Sequence, residues 1–137
     1  MPWNALHHQK LNIVELVFTG STTAKDLQEG TSKCIALGKE HETNRFLVDG
    51  EELELSVTLT DIYKLIDEQY VIEQADRTSR IAVVRPRSPQ AQEGVRFYET
   101  VCMNRGWAAK ITSTRKEAVD WLFGRDTADN TDVGDKF

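Results

Sequence analysis

The chain has 137 residues, 39% of them hydrophobic and 28% charged, with a net charge of −5. That composition fits one globular domain that buries roughly two thirds of its unfolded surface. The acidic balance argues against the basic face of a nucleic-acid binder and against an electrostatic hold on an anionic membrane, and no apolar run approaches the roughly 18 residues of a membrane span.

Met1 to Lys10 contain two histidines and no apolar h-region, so no signal peptide is expected there. Trp3 to Leu6 can form a short first strand. Asn12 to Thr19 is a stronger one, with Val14, Leu16 and Phe18 on one face and Ile13, Glu15 and Val17 on the other. A turn at Lys10 to Asn12 would pair the two as an antiparallel hairpin. Thr23-x-x-Asp26 has capping spacing and opens a helix reaching about His41, with Ala24, Leu27, Thr31, Cys34, Ile35 and Gly38 on one stripe. Gly30 inside that helix marks close packing or is simply tolerated.

Arg45 to Asp49 is a short apolar strand ending on a carboxylate. A loop of acids and hydroxyls follows, Gly50 to Val57, and Thr58-x-x-Asp61 then opens a helix to about Ile72 with Leu59, Ile62, Leu65, Ile66 and Tyr70 inward. Arg80 to Arg85 is apolar on both faces and reads as an interior strand. Ser88 and Pro89 supply an N-cap and a first helical residue, and Gly106 the stop. Trp107 to Ile111 alternates as an edge strand with one face partly wet. Thr114-x-x-Glu117 is a capping box for a last helix that buries Ala118, Val119 and Leu122, flanks Trp121 and closes at Gly124. Residues 1–124 thus form one α/β domain, and 125–137, acidic and aperiodic, read as a disordered tail.

Cys34 and Cys102 fall within predicted helices without a CxxC spacing. They read as buried free thiols of a reducing compartment, so the cytoplasm is the expected location.

The order is β-β-α-β-α-β-α-β-α, a mixed sheet of about five strands. Alternating strands and helices imply parallel pairing and right-handed crossovers, which place every helix N-terminus on one rim at the carboxyl ends of the strands. That rim carries Asp49, Ser56, Thr58, Arg85, Arg87 and Ser88. Hydroxyls and N-terminal N–H groups with two arginines nearby can hold an anion, although capping alone accounts for Thr23, Thr58, Ser88 and Thr114. Asp49 can accept a hydrogen bond from the loop that follows or sit beside a phosphorylated hydroxyl. Glu51, Glu52 and Glu54 lack any spaced ligand set for a cation and read as a solvated acidic loop. His7, His8 and His41 show no zinc spacing, and no GxSxG, P-loop or GxGxxG is present, so neither a metal nor a cofactor is expected. Phe97, Met103 and Trp121 lie off their helices' apolar stripes, as peripheral core or as a dimer or partner surface.

Several stretches carry a family likeness. They are IVELVFTGSTTAKDL from Ile13, Arg45 to Asp49, Arg80 to Pro86, Val95 to Thr100, Asn104 to Gly106 and Glu117 to Leu122. Together they resemble the SpoIIAA-like family, relatives of STAS domains, over about residues 3–124. The resemblance implies βα units wound as a superhelix around a small sheet. In anti-anti-sigma members of the wider group, a loop Asp-Ser-Ser-Gly after the aspartate-ended strand carries a serine phosphorylated by a kinase, and that switch controls partner binding. The corresponding loop here, Glu54 to Thr60, has hydroxyls but not that motif, and Ser56 and Thr58 are the nearest phosphorylation candidates. A related group shares features with CRAL-TRIO lipid carriers.

The first expectation is a non-enzymatic cytoplasmic regulatory module that binds a protein partner and can form a homodimer, without nucleic acid or membrane. The alternatives are a small-molecule or lipid carrier with a pocket at the rim, and an enzyme acting on an anionic substrate held by Arg85 and Arg87.

Overall fold

The computed structural model describes residues 1–125. Apart from Arg125, the expected tail lies outside the described residues. Strands β1 (Trp3–His8) and β2 (Ile13–Phe18) form the antiparallel hairpin, with Trp3 opposite Phe18 and His8 opposite Ile13. Its turn closes on Asn12, whose φ of 55° is left-handed, a region asparagine tolerates. A three-residue strand β3 (Ser21–Thr23) leads into α1 (Ala24–Glu40). Then come β4 (Arg45–Asp49), a second three-residue strand β5 (Glu54–Ser56) and α2 (Leu59–Lys64). A π-helical segment, Leu65–Gln69, carries α2 into the short α3 (Tyr70–Ile72). Strand β6 (Arg80–Val84), α4 (Pro89–Asn104), β7 (Ala108–Thr112) and α5 (Arg115–Leu122) complete the domain.

The main sheet runs β1-β2-β4-β6-β7, with all pairs after the hairpin parallel. Moving in one direction from β2 to β7, right-handed crossovers must stack their helices on a single face. Accordingly, Val14, Leu16, Phe18, Ile81 and Val83 pack with buried residues of α1, α3 and α4 such as Cys34, Tyr70 and Val95. The chain then crosses to the other face, where Ala118 and Leu122 of α5 cover Ile13, Leu47, Ala82 and Val84. Strand β6, buried on both sides, is interior as expected.

Local signals account for most boundaries. Thr23 and Thr58 each form a reciprocal capping box with the aspartate three residues on, and Ser88 caps α4 with Pro89 in its first position. Gly106 and Gly124 take the left-handed conformation that ends α4 and α5, at φ of 81° and 73°. Gly30 marks close packing, since a Cβ there would lie 3.2 Å from Leu16 Cδ1. Some details differ. Leu59 is 55% exposed, being the first helical residue, one turn ahead of the packed stripe at Ile62, Leu65, Ile66 and Tyr70. At Thr114 only half of the box forms: its hydroxyl accepts from Glu117 N, but the Glu117 carboxylate accepts from Ser113 N instead. Strand β7 begins one residue later than expected, leaving Trp107 as a buried lead-in. No described helix is long and apolar enough to cross a membrane.

Candidate functional site

The rim at the carboxyl ends of β2, β4 and β6 is built by the parallel pairing of β3 with β5, which sequence periodicity did not reveal. That pairing sets Thr23 beside Ser56, and the Ser21 and Ser56 hydroxyls lie 3.1 Å apart on the exposed edge. Thr22 in β3 is fully buried and donates its hydroxyl to Gly20 O within the same turn. Ser56 and Thr58 are both exposed, but they differ in occupation. Thr58 Oγ1 accepts from Asp61 N at 3.1 Å, and the Asp61 carboxylate accepts from Thr58 N at 3.0 Å. The Ser56 hydroxyl has only Ser21 beside it among the described residues.

Asp49 anchors its own loop: its Oδ1 accepts from Glu51 N at 3.2 Å. Arg87 pairs with Glu52 at 2.5 Å and lies 3.9 Å from Glu51, so the loop acids neutralise it. Arg85 is exposed, and its N–H donates to Thr112 O. Ser88 Oγ accepts from Ala91 N at 3.3 Å as the α4 cap. The structure therefore brings Ser56, Thr58 and Asp49 to one rim. Arg87, 69% exposed, faces the loop acids, and the Ser88 hydroxyl serves as the α4 cap.

A second polar cluster lies beneath the rim on the α5 side. Glu15, in the middle of β2, is 4% exposed. Arg115, the first residue of α5, donates to both its oxygens at 2.6 and 2.7 Å, and His8 Nε2 lies 2.5 Å from Oε1. Burial opposes the charge, yet the hydrogen bonds from Arg115 and His8 hold the carboxyl below its ordinary range. An acid inside an apolar strand was the only sequence signal for this cluster, and its partner stands 100 residues away.

At the opposite end of the sheet, a cavity of about 420 Å³ lies between α1, α3, α4 and the sheet face. Phe46, Ile81 and Ile35 line its apolar walls, and Thr43, Asn44 and Ser79 mark its end at the amino termini of β4 and β6. The carrier alternative placed a pocket at the rim. This cavity lies at the other end because the αβ loops there leave the space between α1 and the sheet unfilled.

Both cysteines are buried free thiols, as expected. Burial pushes each thiol up to about 12. Phe97 packs against the core, whereas Met103 is 67% exposed at the end of α4.

No protein-family model matches the chain, and no curated protein matches it by sequence. Solved structures share its architecture, two SpoIIAA-like proteins among them. One is the anti-sigma factor antagonist SpoIIAA in its unphosphorylated form, at 15% identity and a TM-score of 0.56, covering 89% of this chain and 96% of SpoIIAA. The other is an uncharacterised protein of the DUF3478 family from Shewanella loihica with a SpoIIAA-like fold, at 16% identity and a TM-score of 0.56, covering 88% of this chain and 91% of that one. Likeness at that identity speaks for architecture and not for chemistry. The mixed five-stranded sheet with alternating βα units is the SpoIIAA-like, STAS-related fold, and this chain has it.

Proposed function

We propose that the chain is a non-enzymatic regulatory module that binds a protein partner through the rim, with Ser56 as the hydroxyl whose modification sets the affinity. The observation that carries this reading is the β3–β5 ladder, which holds an uncapped, exposed serine on a rigid edge in the loop after the aspartate-ended strand. A phosphate there adds about two negative charges and three acceptor oxygens to a surface that a partner can read. Thr58 ranks second. Its oxygen already caps α2, and a phosphate would stand against the Asp61 carboxylate of the same capping box. SpoIIAA, which shares the fold, is an anti-sigma factor antagonist described in an unphosphorylated form, and that supports a modification-dependent interaction role here.

The cytoplasm remains the proposed location, with the two buried thiols as support. A homodimer is a subsidiary proposal, for which the half-exposed edge strand β7 and the exposed Met103 are the available surface. Intact mass of the chain taken from its own host tests the reading. A phosphate-sized increment that survives denaturation and maps to Ser56 is expected. An unmodified chain under every growth condition, or a phosphate confined to Thr58, would remove Ser56 from the account.

A further inference from the structure

The pocket at this end of the sheet is partly open to solvent and stands apart from the rim. A volume of about 420 Å³ falls within the range of small-molecule sites, roughly 300–1,000 Å³. The cavity is walled by Val14, Leu16, Ile35, Phe46, Val48 and Ile81, drawn from three strands and α1.

Polar groups line it as well, Thr43, Asn44 and Ser79 at its end and two tyrosines on its wall. The Tyr70 and Tyr98 hydroxyls lie 2.7 Å apart, and both side chains line the cavity. Two hydroxyls hold two hydrogens, but one O···O bond uses only one of them. The other has no oxygen acceptor among the described residues, and the Cys102 sulfur beside Tyr98 is a weak one. Trp107 also lines the cavity, is 4% exposed, and its indole Nε1 has no partner among the described residues. A buried donor left as the Trp107 indole is costs about 1–3 kcal/mol, so it calls for a reason. The π-helical widening at Leu65–Gln69 sits directly before Tyr70, whose N–H donates to the Leu65 carbonyl. Such widenings inside α-helices concentrate at functional sites.

Charge decides the class of ligand. Burial raises the Tyr70, Tyr98 and Cys34 ionisations well above neutral pH, so these lining groups carry no charge. At the mouth, Lys39 donates its ammonium to Glu73 O at 2.7 Å, and the acids Glu42 and Asp76 stand near it. Neither the interior nor the mouth favours an anion.

We infer that this cavity binds a small, neutral, largely apolar molecule carrying one hydrogen-bond acceptor oxygen, which takes the free hydroxyl of the Tyr70–Tyr98 pair. A free acid or a phosphorylated compound does not fit it. The site is independent of the rim reading, and either can fail without the other.

Acetophenone, ethylbenzene and benzoate are of similar size and differ in the acceptor and the charge. Each is titrated into the full chain by two-dimensional ¹H–¹⁵N NMR, with the Trp107 indole resonance as the local reporter and those of Trp3 and Trp121 as controls. Acetophenone should give saturable shifts centred on Trp107. Ethylbenzene should bind about three- to tenfold more weakly, as the loss of one neutral hydrogen bond predicts. Benzoate should not bind. Tyr70→Phe combined with Tyr98→Phe, which removes both hydroxyls, should abolish the preference for acetophenone, and Cys34→Met, which enlarges a lining side chain, should weaken both neutral ligands. Ser56→Asp should leave all three unchanged. Absence of saturable binding, benzoate binding as tightly as acetophenone, or a preference that survives the double tyrosine variant would each overturn the inference. Should Cys34→Met lose the dispersed spectrum of a folded chain, the double tyrosine variant alone decides.

Discussion

Arg115→Ala should destabilise the protein by about 2–3 kcal/mol, a figure that follows from where Glu15 lies. Removing one partner from a buried ion pair typically costs about 3–5 kcal/mol, because the remaining charge keeps its desolvation penalty. Glu15 meets that condition, with 5% of its side chain exposed and both oxygens bonded by Arg115. The Arg115 side chain is 52% exposed, so water screens part of the pair, and His8 stays to serve Oε1. Both reduce the loss to about 2–3 kcal/mol, or about 6–12 °C in Tm for a domain of this size. The pH dependence has a definite sign. The folded carboxyl lies below its ordinary value of 4.5, so its contribution is present above that pH and is lost as pH falls through the folded value. In the variant, burial is left to raise the same carboxyl, so protonation relieves it. The difference between native and variant should be full at pH 7 and should narrow as the pH is lowered past 4.5. Urea unfolding followed by tryptophan fluorescence and far-UV circular dichroism measures it. A loss below about 0.5 kcal/mol at pH 7, the range of ordinary surface substitutions, would refute the reasoning, as would a difference independent of pH.

Other parts of the fold make separate claims. Gly50→Ala should cost about 2–3 kcal/mol in the same assay, because its Cβ would sit 2.9 Å from the Val84 carbonyl, a backbone atom that cannot turn aside. Arg80 lies 4.0 Å over the Trp121 ring and donates to the Trp121 carbonyl at 2.6 Å, tying the end of α5 to β6. Arg80→Lys should therefore lose about 1–2 kcal/mol despite keeping the charge, since an ammonium cannot stack and bond at once. Cys34 and Cys102, with thiols pushed up to about 12, should resist a thiol-reactive dye at pH 8 in the folded chain and react promptly in urea. Fast labelling of either in the folded chain would contradict the packing described.

What was legible in the sequence was local or periodic. The caps at Thr23, Thr58 and Ser88 are written within four residues, and the two-sided apolarity of Arg80 to Val84 announces an interior strand. Leu59 shows where periodicity stops: the stripe predicts a direction, but at the first helical position nothing yet lies over it. The β3–β5 ladder was not legible, because strands of three residues, Ser21–Thr23 and Glu54–Ser56, are too short for a periodic signal and pair across more than thirty residues. For the same reason Glu15 could be seen as an oddity, while Arg115 and His8 could not be assigned to it. The cavity was invisible for a different reason. Apolar stripes on α1, β2, β4 and β6 predict that these faces meet, but not that an open pocket remains between them. Of the rim residues, the sequence supplied the hydroxyls and Asp49, and only the three-dimensional pairing separated the free Ser56 from the capping Thr58.

The rim is the proposed partner surface. The direct measurement is native mass spectrometry of the tagged chain isolated from its own host, in three forms: unmodified in sequence, Ser56→Asp on the rim, and Met103→Glu at the far end of α4. A stoichiometric protein partner is expected on the native chain and on Met103→Glu, with an occupancy changed at least about tenfold, or about 1.4 kcal/mol, in Ser56→Asp. A partner retained equally by all three forms, or lost from Met103→Glu alone, would place the interaction elsewhere and contradict that proposal.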